Sequence, residues 1–337
     1  MAERRKVRWG VLGVARIARK RVLPMMPGEG YELLAVASRD LQKARGAAVA
    51  FRAPRAYGSY EELLADPDVD AVYNPLPNHL HVPLSLRALE RGKHVLVEKP
   101  VALAAAEAAT LLAARDRTGL KVCEAFMVRS HPRWLRAREL VRSGRIGALR
   151  AIVGSFTYFD DDPSNVRNRP EWGGGALLDV GCYPVTMSRF IFEEEPVRAL
   201  ALSRRDPAQG IDRLTSALLD FPSGQAIFTC SMDVPLSQRM QILGTKGHLA
   251  IENPWSPPTD RATRLVLDDG RDLLRSGVAI EEFPSCDHYR IQLELFSKAI
   301  LDDGPVPVPL EDSIRNLRAL EAIARSAESG RAEPVEG

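Results

Sequence analysis

Val7-Arg8-Trp9-Gly10-Val11-Leu12-Gly13-Val14-Ala15-Arg16-Ile17-Ala18 is the stretch on which the reading of this chain turns. Residues 7–12 form a short, mostly apolar run that suits a strand, and Gly13 follows at a turn. A helix is expected from about Ala15. A strand, a glycine turn and a helix in that order can open a dinucleotide-binding fold. Gly13 would make the tight turn, and the next small residue would let a pyrophosphate approach helix N–H groups. The last small residue would let helix pack closely on strand. Ala15 and Ala18 stand in two of the three glycine positions, so the motif alone also fits an ordinary strand–turn–helix junction. The residues this turn offers to a cofactor are Gly13, Ala15, Arg16 and Ile17.

The surrounding pattern favours the dinucleotide fold. Strands are expected over 31–37, 69–73 and 94–97. Helices are expected over 60–65, stopped by Asp66-Pro67, over 78–91, ending at Gly92, and over 102–118, ending at Gly119. Strands alternating with helices imply βαβ units and a parallel sheet. The second strand ends in Ser38-Arg39-Asp40. A hydroxyl and a guanidinium suit the 2′-phosphate of NADP, whereas Asp40 leaves NAD open. Tyr73-Asn74-Pro75-Leu76-Pro77-Asn78-His79-Leu80-His81 lies at the carboxyl end of another strand, the edge where parallel sheets bind ligands. Pro75, Leu76, Asn78 and His81 are expected to face the cofactor, with Asn78 able to cap the following helix. His79 and His81 read as first-turn helix residues near solvent or cofactor rather than as a metal pair.

The pattern changes after about residue 122. A helix over 132–143 is followed by strand-like segments over 150–159, 197–203, 214–220, 225–233, 239–243 and 248–252. This is the signature of an antiparallel sheet with helices on one face. A Pro-rich loop spans 253–264, and final helices cover 289–301 and 310–329, the last expected to pack back on the first domain. The fold class is therefore α/β. Residues 1–122 form a Rossmann domain with a doubly wound parallel sheet, and residues 123–337 an α+β domain with a mostly antiparallel sheet.

Bulk properties narrow the function. The 337 residues suit two domains, and 45% hydrophobic with 27% charged content matches an ordinary globular protein. A net charge of +2, with scattered basic residues, gives no reason to invoke nucleic acid or a membrane surface. No signal peptide or membrane-spanning run is visible, which favours the cytoplasm. Cys123, Cys182, Cys230 and Cys286 lack metal-ligand spacing and read as reduced, mostly buried thiols, so no metal is expected.

The candidate chemistry rests on Glu98-Lys99-Pro100 and on Gly173-Gly174-Gly175-Ala-Leu-Leu-Asp179-Val-Gly-Cys-Tyr183. Lys99 follows a strand at the ligand-binding edge, and Glu98 beside it is also assigned to the cofactor. Asp179 and Tyr183 are four apart, hence on one face of a helix. A nearby ammonium favours the phenolate of a tyrosine and moves it toward the range of a general base. Tyr183 would take a hydroxyl proton while a hydride leaves the carbinol carbon. Lys99 would stabilise the oxyanion, and Asp179 would orient the substrate hydroxyl or Lys99. A core tyrosine with a helix-internal aspartate remains the alternative.

Taken together, these motifs resemble the Gfo/Idh/MocA oxidoreductase family, which includes glucose-fructose oxidoreductase, inositol dehydrogenase and dimeric dihydrodiol dehydrogenase. The resemblance runs over nearly the whole chain and is strongest at residues 78–81, 94–100 and 173–183. It implies that Lys99 lies near the nicotinamide and that Asp179 and Tyr183 line the substrate site. Tyr183, where inositol dehydrogenases usually carry His, is similar to the glucose-fructose oxidoreductase, xylose dehydrogenase and dihydrodiol dehydrogenase branch. The similarity of residues 162–172 to that branch places Arg167, Asn168 and Trp172 near substrate, with a loop salt bridge as the other role for Arg167. It also implies an open second sheet that forms homodimer or homotetramer contacts. The expectation is an NADP-preferring dehydrogenase of a sugar or cyclic polyol, first of all an aldose such as xylose or glucose. A trans-dihydrodiol dehydrogenase and a keto-sugar reductase are the nearest rivals. A nucleotide sensor without turnover is the rival from another class.

Overall fold

The computed structural model describes residues 5–336; the extreme N-terminal residues and Gly337, assigned above to the two domain ends, lie outside the described residues. The chain divides into two compact units. One comprises the chain through Met127 with Asp287–Ile314, the other Val128–Cys286 with the chain from Arg315 on.

The first unit is built on a six-stranded sheet. Its strands are β1 (Val7–Leu12), β2 (Tyr31–Ala37), β3 (Arg55–Tyr57), β4 (Ala71–Asn74), β5 (His94–Val97) and β6 (Val122–Glu124). They lie in the order β3-β2-β1-β4-β5-β6, and every pair is parallel. The order reverses between β1 and β4, which makes their carboxyl ends the switch point of a doubly wound sheet. The strands are buried almost throughout, as strands covered on both faces require.

The helices of this unit are α1 (Leu41–Phe51), α2 (Tyr60–Ala65), α3 (His81–Glu90), α4 (Ala105–Thr118) and α7 (His288–Leu301). Three differ from the sequence reading. The helix expected from about Ala15 is irregular: a π-helical turn over Ala18–Val22 gives way to a 3₁₀ turn over Leu23–Met25, where Pro24 supplies no N–H to continue it. α1 was not anticipated, and Asp40 caps it by accepting from the N–H groups of Gln42 at 2.9 Å and Lys43 at 3.2 Å. α7 belongs to the first unit rather than to a second domain running from residue 123 to the end. Its Phe296 packs 5.7 Å from Trp9, and Trp9 Nε1 donates to Ser297 Oγ at 3.1 Å.

The second unit holds α5 (Pro132–Arg142), α6 (Cys182–Phe192) and a nine-stranded sheet. The strands are β7 (Leu149–Phe159), β8 (Arg198–Arg205), β9 (Asp212–Phe221), β10 (Gly224–Ser231), β11 (Asp233–Gly244), β12 (Gly247–Glu252), β13 (Thr263–Asp268), β14 (Val278–Phe283) and β15 (Glu333–Pro334). Their order is β14-β13-β12-β11-β7-β10-β9-β8-β15; among the described residues β7 and β10 pair in parallel and the other neighbours antiparallel. Side chains alternate inward and outward: Thr215, Ala217 and Leu219 are buried, whereas Leu214, Ser216 and Leu218 are half-buried. Every residue of α6 is buried. The last helix, α8 (Leu310–Ser329), gives only Leu310–Ile314 to the first unit, so α7 takes the place expected for it.

All four cysteines are free thiols, with Cys286 half-buried and the others buried. Among the described residues no helix is long and apolar enough to cross a membrane. Nor, among them, could any group of three or more His, Cys, Asp or Glu side chains hold a metal ion.

Candidate functional site

In the first unit the nucleotide turn is shaped by glycine. Gly13 sits at φ +92°, and a Cβ there would stand 2.8 Å from Leu76 Cδ2 and 3.6 Å from the Tyr60 hydroxyl. Gly13 N–H donates to Ala37 O at 2.8 Å, fixing the turn to β2. Ala18 is fully buried, as the close helix–strand contact requires, while Ala15 and Ile17 are half-buried and Arg16 is exposed. These residues fit a dinucleotide, because bare backbone stands where a pyrophosphate must approach.

The end of β2 sharpens the cofactor reading. The Asp40 carboxylate is spent as the cap of α1, and Asp40 N–H donates to Ser38 Oγ at 3.2 Å. Arg39 remains exposed beside Tyr60, whose phenol burial pushes up and Arg39 pulls down. An aspartate fixed as a helix cap is poorly available to a ribose, which leaves the cation as the recognising group at this strand end.

The turn after β4 is organised by Asn74, wholly buried, which donates to His81 O at 3.1 Å and accepts from Leu76 N–H at 3.4 Å. Asn78 is the first residue of a 3₁₀ turn over Asn78–Leu80, which leads directly into α3. His81 departs from expectation. It is 1% exposed, with Nδ1 2.7 Å from Pro100 O and Nε2 2.7 Å from Leu76 O. Both nitrogens are engaged by backbone, so His81 shapes the site and does not face the cofactor. Burial pushes its pKa down to about 4, against the upward pull of the two carbonyls.

Lys99 and Glu98 are half-buried at the carboxyl end of β5, and the Lys99–Pro100 peptide is cis. The Tyr73 hydroxyl donates to Glu98 Oε1 at 2.6 Å, and Val101 N–H donates to Glu124 Oε1 at 2.8 Å. Neighbouring strands thus hold the lysine turn on both sides.

In the second unit a polar cluster surrounds Asp179. The Tyr158 hydroxyl donates to Asp179 Oδ2 at 2.6 Å, and Arg167 Nε pairs with the same oxygen at 2.9 Å. The Asp179 charge holds the Arg167 guanidinium well above its ordinary value, although 43% of its side chain is exposed. The Tyr158 phenol is pushed far up, first by burial and then by Asp179. Asp179 lies in a π-helical turn over Leu177–Gly181, not in the regular helix its spacing from Tyr183 suggested. Tyr183 opens α6, buried against aromatic rings: Phe156 edge-on at 5.4 Å and Trp255 at 5.8 Å.

The glycine run brings this cluster together. A Cβ on Gly174 would stand 2.4 Å from Arg167 O, and one on Gly175 2.1 Å from Asp212 Oδ1. Asp212 accepts from Leu177 N–H at 2.7 Å, and burial raises its carboxyl above the usual range. Only residues without side chains let the 165–170 loop lie so close to the start of this helical segment.

Asn168 is a correction. It is buried, donating through Nδ2 to Asp160 Oδ1 at 2.9 Å and Asp162 O at 2.8 Å, and accepting from Arg213 Nη1 at 2.7 Å. Its amide is consumed in holding the loop, so it is not a substrate contact. Trp172 is half-buried with the Arg169 guanidinium 4.8 Å from its ring. Tyr158, Arg213 and Trp255 were missed by sequence reasoning. The signal for Tyr158 was present: it stands two residues from the buried Phe156, on the same face of β7.

Comparison with known proteins follows these lines. The family described as "Oxidoreductase family, NAD-binding Rossmann fold" matches residues 7–126, and the "GFO/IDH/MocA C-terminal domain" matches residues 134–250. The chain belongs to the Gfo/Idh/MocA oxidoreductase family. It is 47% identical to an uncharacterized oxidoreductase of Rhizobium meliloti, over 98% of this chain and 99% of that one. It is 38% identical to a D-xylose 1-dehydrogenase (NADP(+)) of Haloferax volcanii, over 96% and 98% of the two chains. Among solved structures, a mutant 3-ketoreductase from Actinomadura kijaniata in complex with TDP-benzene and NADP superposes with a TM-score of 0.89. That structure is 29% identical, over 95% of this chain and 98% of its own. The oxidoreductase is thus an enzyme with a Rossmann domain that binds a nicotinamide dinucleotide.

Proposed function

We propose that this oxidoreductase uses NADP to oxidise the carbinol carbon of an aldose of the xylose or glucose kind. The observation that carries the reading is the Asp179 carboxylate, held by Tyr158 and Arg167 in the turn that runs into Tyr183. When bound, the nicotinamide supplies the hydride acceptor. Tyr183 takes the hydroxyl proton, and Lys99 stabilises the oxyanion that develops. Asp179 orients the substrate hydroxyl, and the Arg167 guanidinium meets a further sugar oxygen. Arg39 with Ser38 favours NADP, since Asp40 is committed to α1. The xylose dehydrogenase relative supports both substrate and cofactor.

The test is the nicotinamide absorbance change with NADP or NAD against aldoses, inositols and a trans-dihydrodiol. Turnover of an aldose with NADP is expected. Turnover of the dihydrodiol alone would move the enzyme to the rival branch. The reverse reaction, reduction of a keto-sugar, is the second reading, favoured by the similarity to the 3-ketoreductase. Cofactor binding without turnover of any of these would place the substrate outside the three classes.

We also propose that two copies associate through the outer face of the nine-stranded sheet. Leu200, Leu218, Ile227 and Val153 stand opposite one another across β8, β9, β10 and β7. Leu202 beside them is 76% exposed. A contiguous row of exposed and half-buried apolar side chains on one sheet face suits an interface. Light scattering of the wild type and of Ile227→Lys should show a dimer that the charge dissociates.

A further inference from the structure

One imidazole links the turns after β4 and β5 in the first unit. The Leu76 turn is the one that crowds Gly13, with Leu76 Cδ2 2.8 Å from where a Cβ on that glycine would stand. Pro100 directly follows Lys99, and its carbonyl lies 2.7 Å from His81 Nδ1, while the Leu76 carbonyl lies 2.7 Å from Nε2. Tyr73 and Glu124 anchor the lysine turn to β4 and β6, through Glu98 and the Val101 N–H. The ring of His81 ties it to the nucleotide turn. We propose that His81 is the positioning residue that holds Lys99 in register with the Gly13–Leu76 turn, an inference that rests on Lys99 acting as proposed above.

Carbonyl oxygens only accept and a neutral imidazole has one N–H, so the ring donates to one of the two turns and packs against the other. Burial first, then the Lys99 charge, keeps it neutral against the upward pull of the two carbonyls. The enclosed ring thus sets the spacing of the turns by one hydrogen bond and by its bulk. His81 is wholly enclosed, so substitution removes the tie without removing a surface that a cofactor could touch. A lysine displaced by a fraction of an ångström loses the geometry on which transition-state contact depends.

The test is a double-mutant cycle of His81→Ala and Lys99→Ala, read in kcat and in the NADP dissociation constant from protein fluorescence. His81→Ala should lower kcat by about 10²-fold in the wild-type background, by the cost of misplacing a catalytic group. In the Lys99→Ala background it should lower kcat less than about threefold, because the residue it positions is gone. The NADP dissociation constant should change less than kcat. His81→Gln, which retains an N–H donor, should recover part of the loss, and it carries the comparison should the alanine variant fail to fold. A slowed Lys99→Ala enzyme in which His81→Ala multiplies the loss in full overturns this proposal alone. So does a loss confined to NADP affinity. A Lys99→Ala enzyme with undiminished kcat overturns the reading of Lys99, and this proposal with it.

Discussion

The nucleotide turn of the first unit and the Asp179 cluster of the second hold their side chains by different means. In the first, buried polar groups bind backbone. Asn74 and His81 meet carbonyl and N–H groups of the turns after β4 and β5. Lys93, buried near the base of β5, donates to Asp66 O at 2.7 Å and Val69 O at 2.8 Å. In the second, side chains bind side chains across long stretches of sequence. Tyr158 and Arg167 meet on Asp179, and Arg213 joins Asn168 to Asp233, with Nε 2.8 Å from the carboxylate. Backbone clasps make one loop shape and tolerate many ligand chemistries. Side-chain pairs tune charge, and charge is what separates one substrate from another. The cofactor side should therefore respond to changes of shape and the Asp179 side to changes of charge.

The largest expected effect is that of Tyr183→Phe, which removes a proton carrier and leaves the aromatic packing intact. Turnover should fall about 10²- to 10⁴-fold with NADP affinity unchanged. Equal turnover would leave Tyr183 as a core ring and end the charge-based reading. Gly13→Ala tests shape on the other side. A side chain at φ +92° with Leu76 2.8 Å away should weaken NADP binding by roughly tenfold or more and cost about 1–3 kcal/mol of stability. Titration calorimetry and thermal melting check the two parts.

Smaller effects separate Arg39 from Asp40. Arg39→Ala should raise the KM for NADP about tenfold and leave that for NAD unaltered, by the loss of one charged hydrogen-bond donor. Asp40→Ala should cost about 1 kcal/mol as a lost helix cap and leave the cofactor preference alone. A variant of Asp40 that switched preference would return the aspartate to the ribose.

The smallest effect is in the pH dependence of stability, and it has opposite signs in the two units. Asp66 in the first unit accepts from Arg55 and Tyr57, and these bonds, against burial, hold its carboxyl below the usual range. Its contribution is present above the unfolded value and is lost as pH falls through the folded one. Asp212 in the second unit is raised by burial, so it binds a proton more readily folded than unfolded. Its contribution is present below the unfolded value and is lost as pH rises through the folded one. Asp66→Asn should flatten the acid limb of the melting temperature, and Asp212→Asn should steepen it.

Much of the fold was legible in the sequence because it rests on period and punctuation. Apolar runs of four to seven residues and the helix stops at Gly92 and Gly119 gave the parallel sheet, and alternation gave most of the antiparallel one. α1 escaped notice because Leu41–Phe51 mixes Gln, Lys, Arg and Gly46 with alanines and has little apolar contrast. β14 escaped because an edge strand carries charge, as Glu281 and Glu282 show, and β13 because its short run begins in the Pro-rich stretch read as a loop. In the candidate site, Gly13, Asp179 and Tyr183 were singled out by motif and spacing, and the structure sets Gly13 at φ +92° and Asp179 on the Tyr158 hydroxyl. Asn168 was placed near substrate by the resemblance of residues 162–172, and only Arg213, 45 residues away, shows where its amide is spent. His81 was placed near the cofactor by its position after a strand at the ligand-binding edge, and only Pro100 and Leu76 show what encloses its ring.

The sequence by itself determined the Rossmann order of strands and helices, the glycine that the nucleotide turn needs, and the family. These are local properties, set by backbone conformation and by residues a few positions apart. The tertiary structure alone decided which polar groups are free to act. It committed Asp40 to a cap, His81 to two carbonyls and Asn168 to an arginine, and it placed Tyr158 on Asp179. A side chain's chemistry is written in its identity, but its availability depends on partners that only folding brings within hydrogen-bond reach.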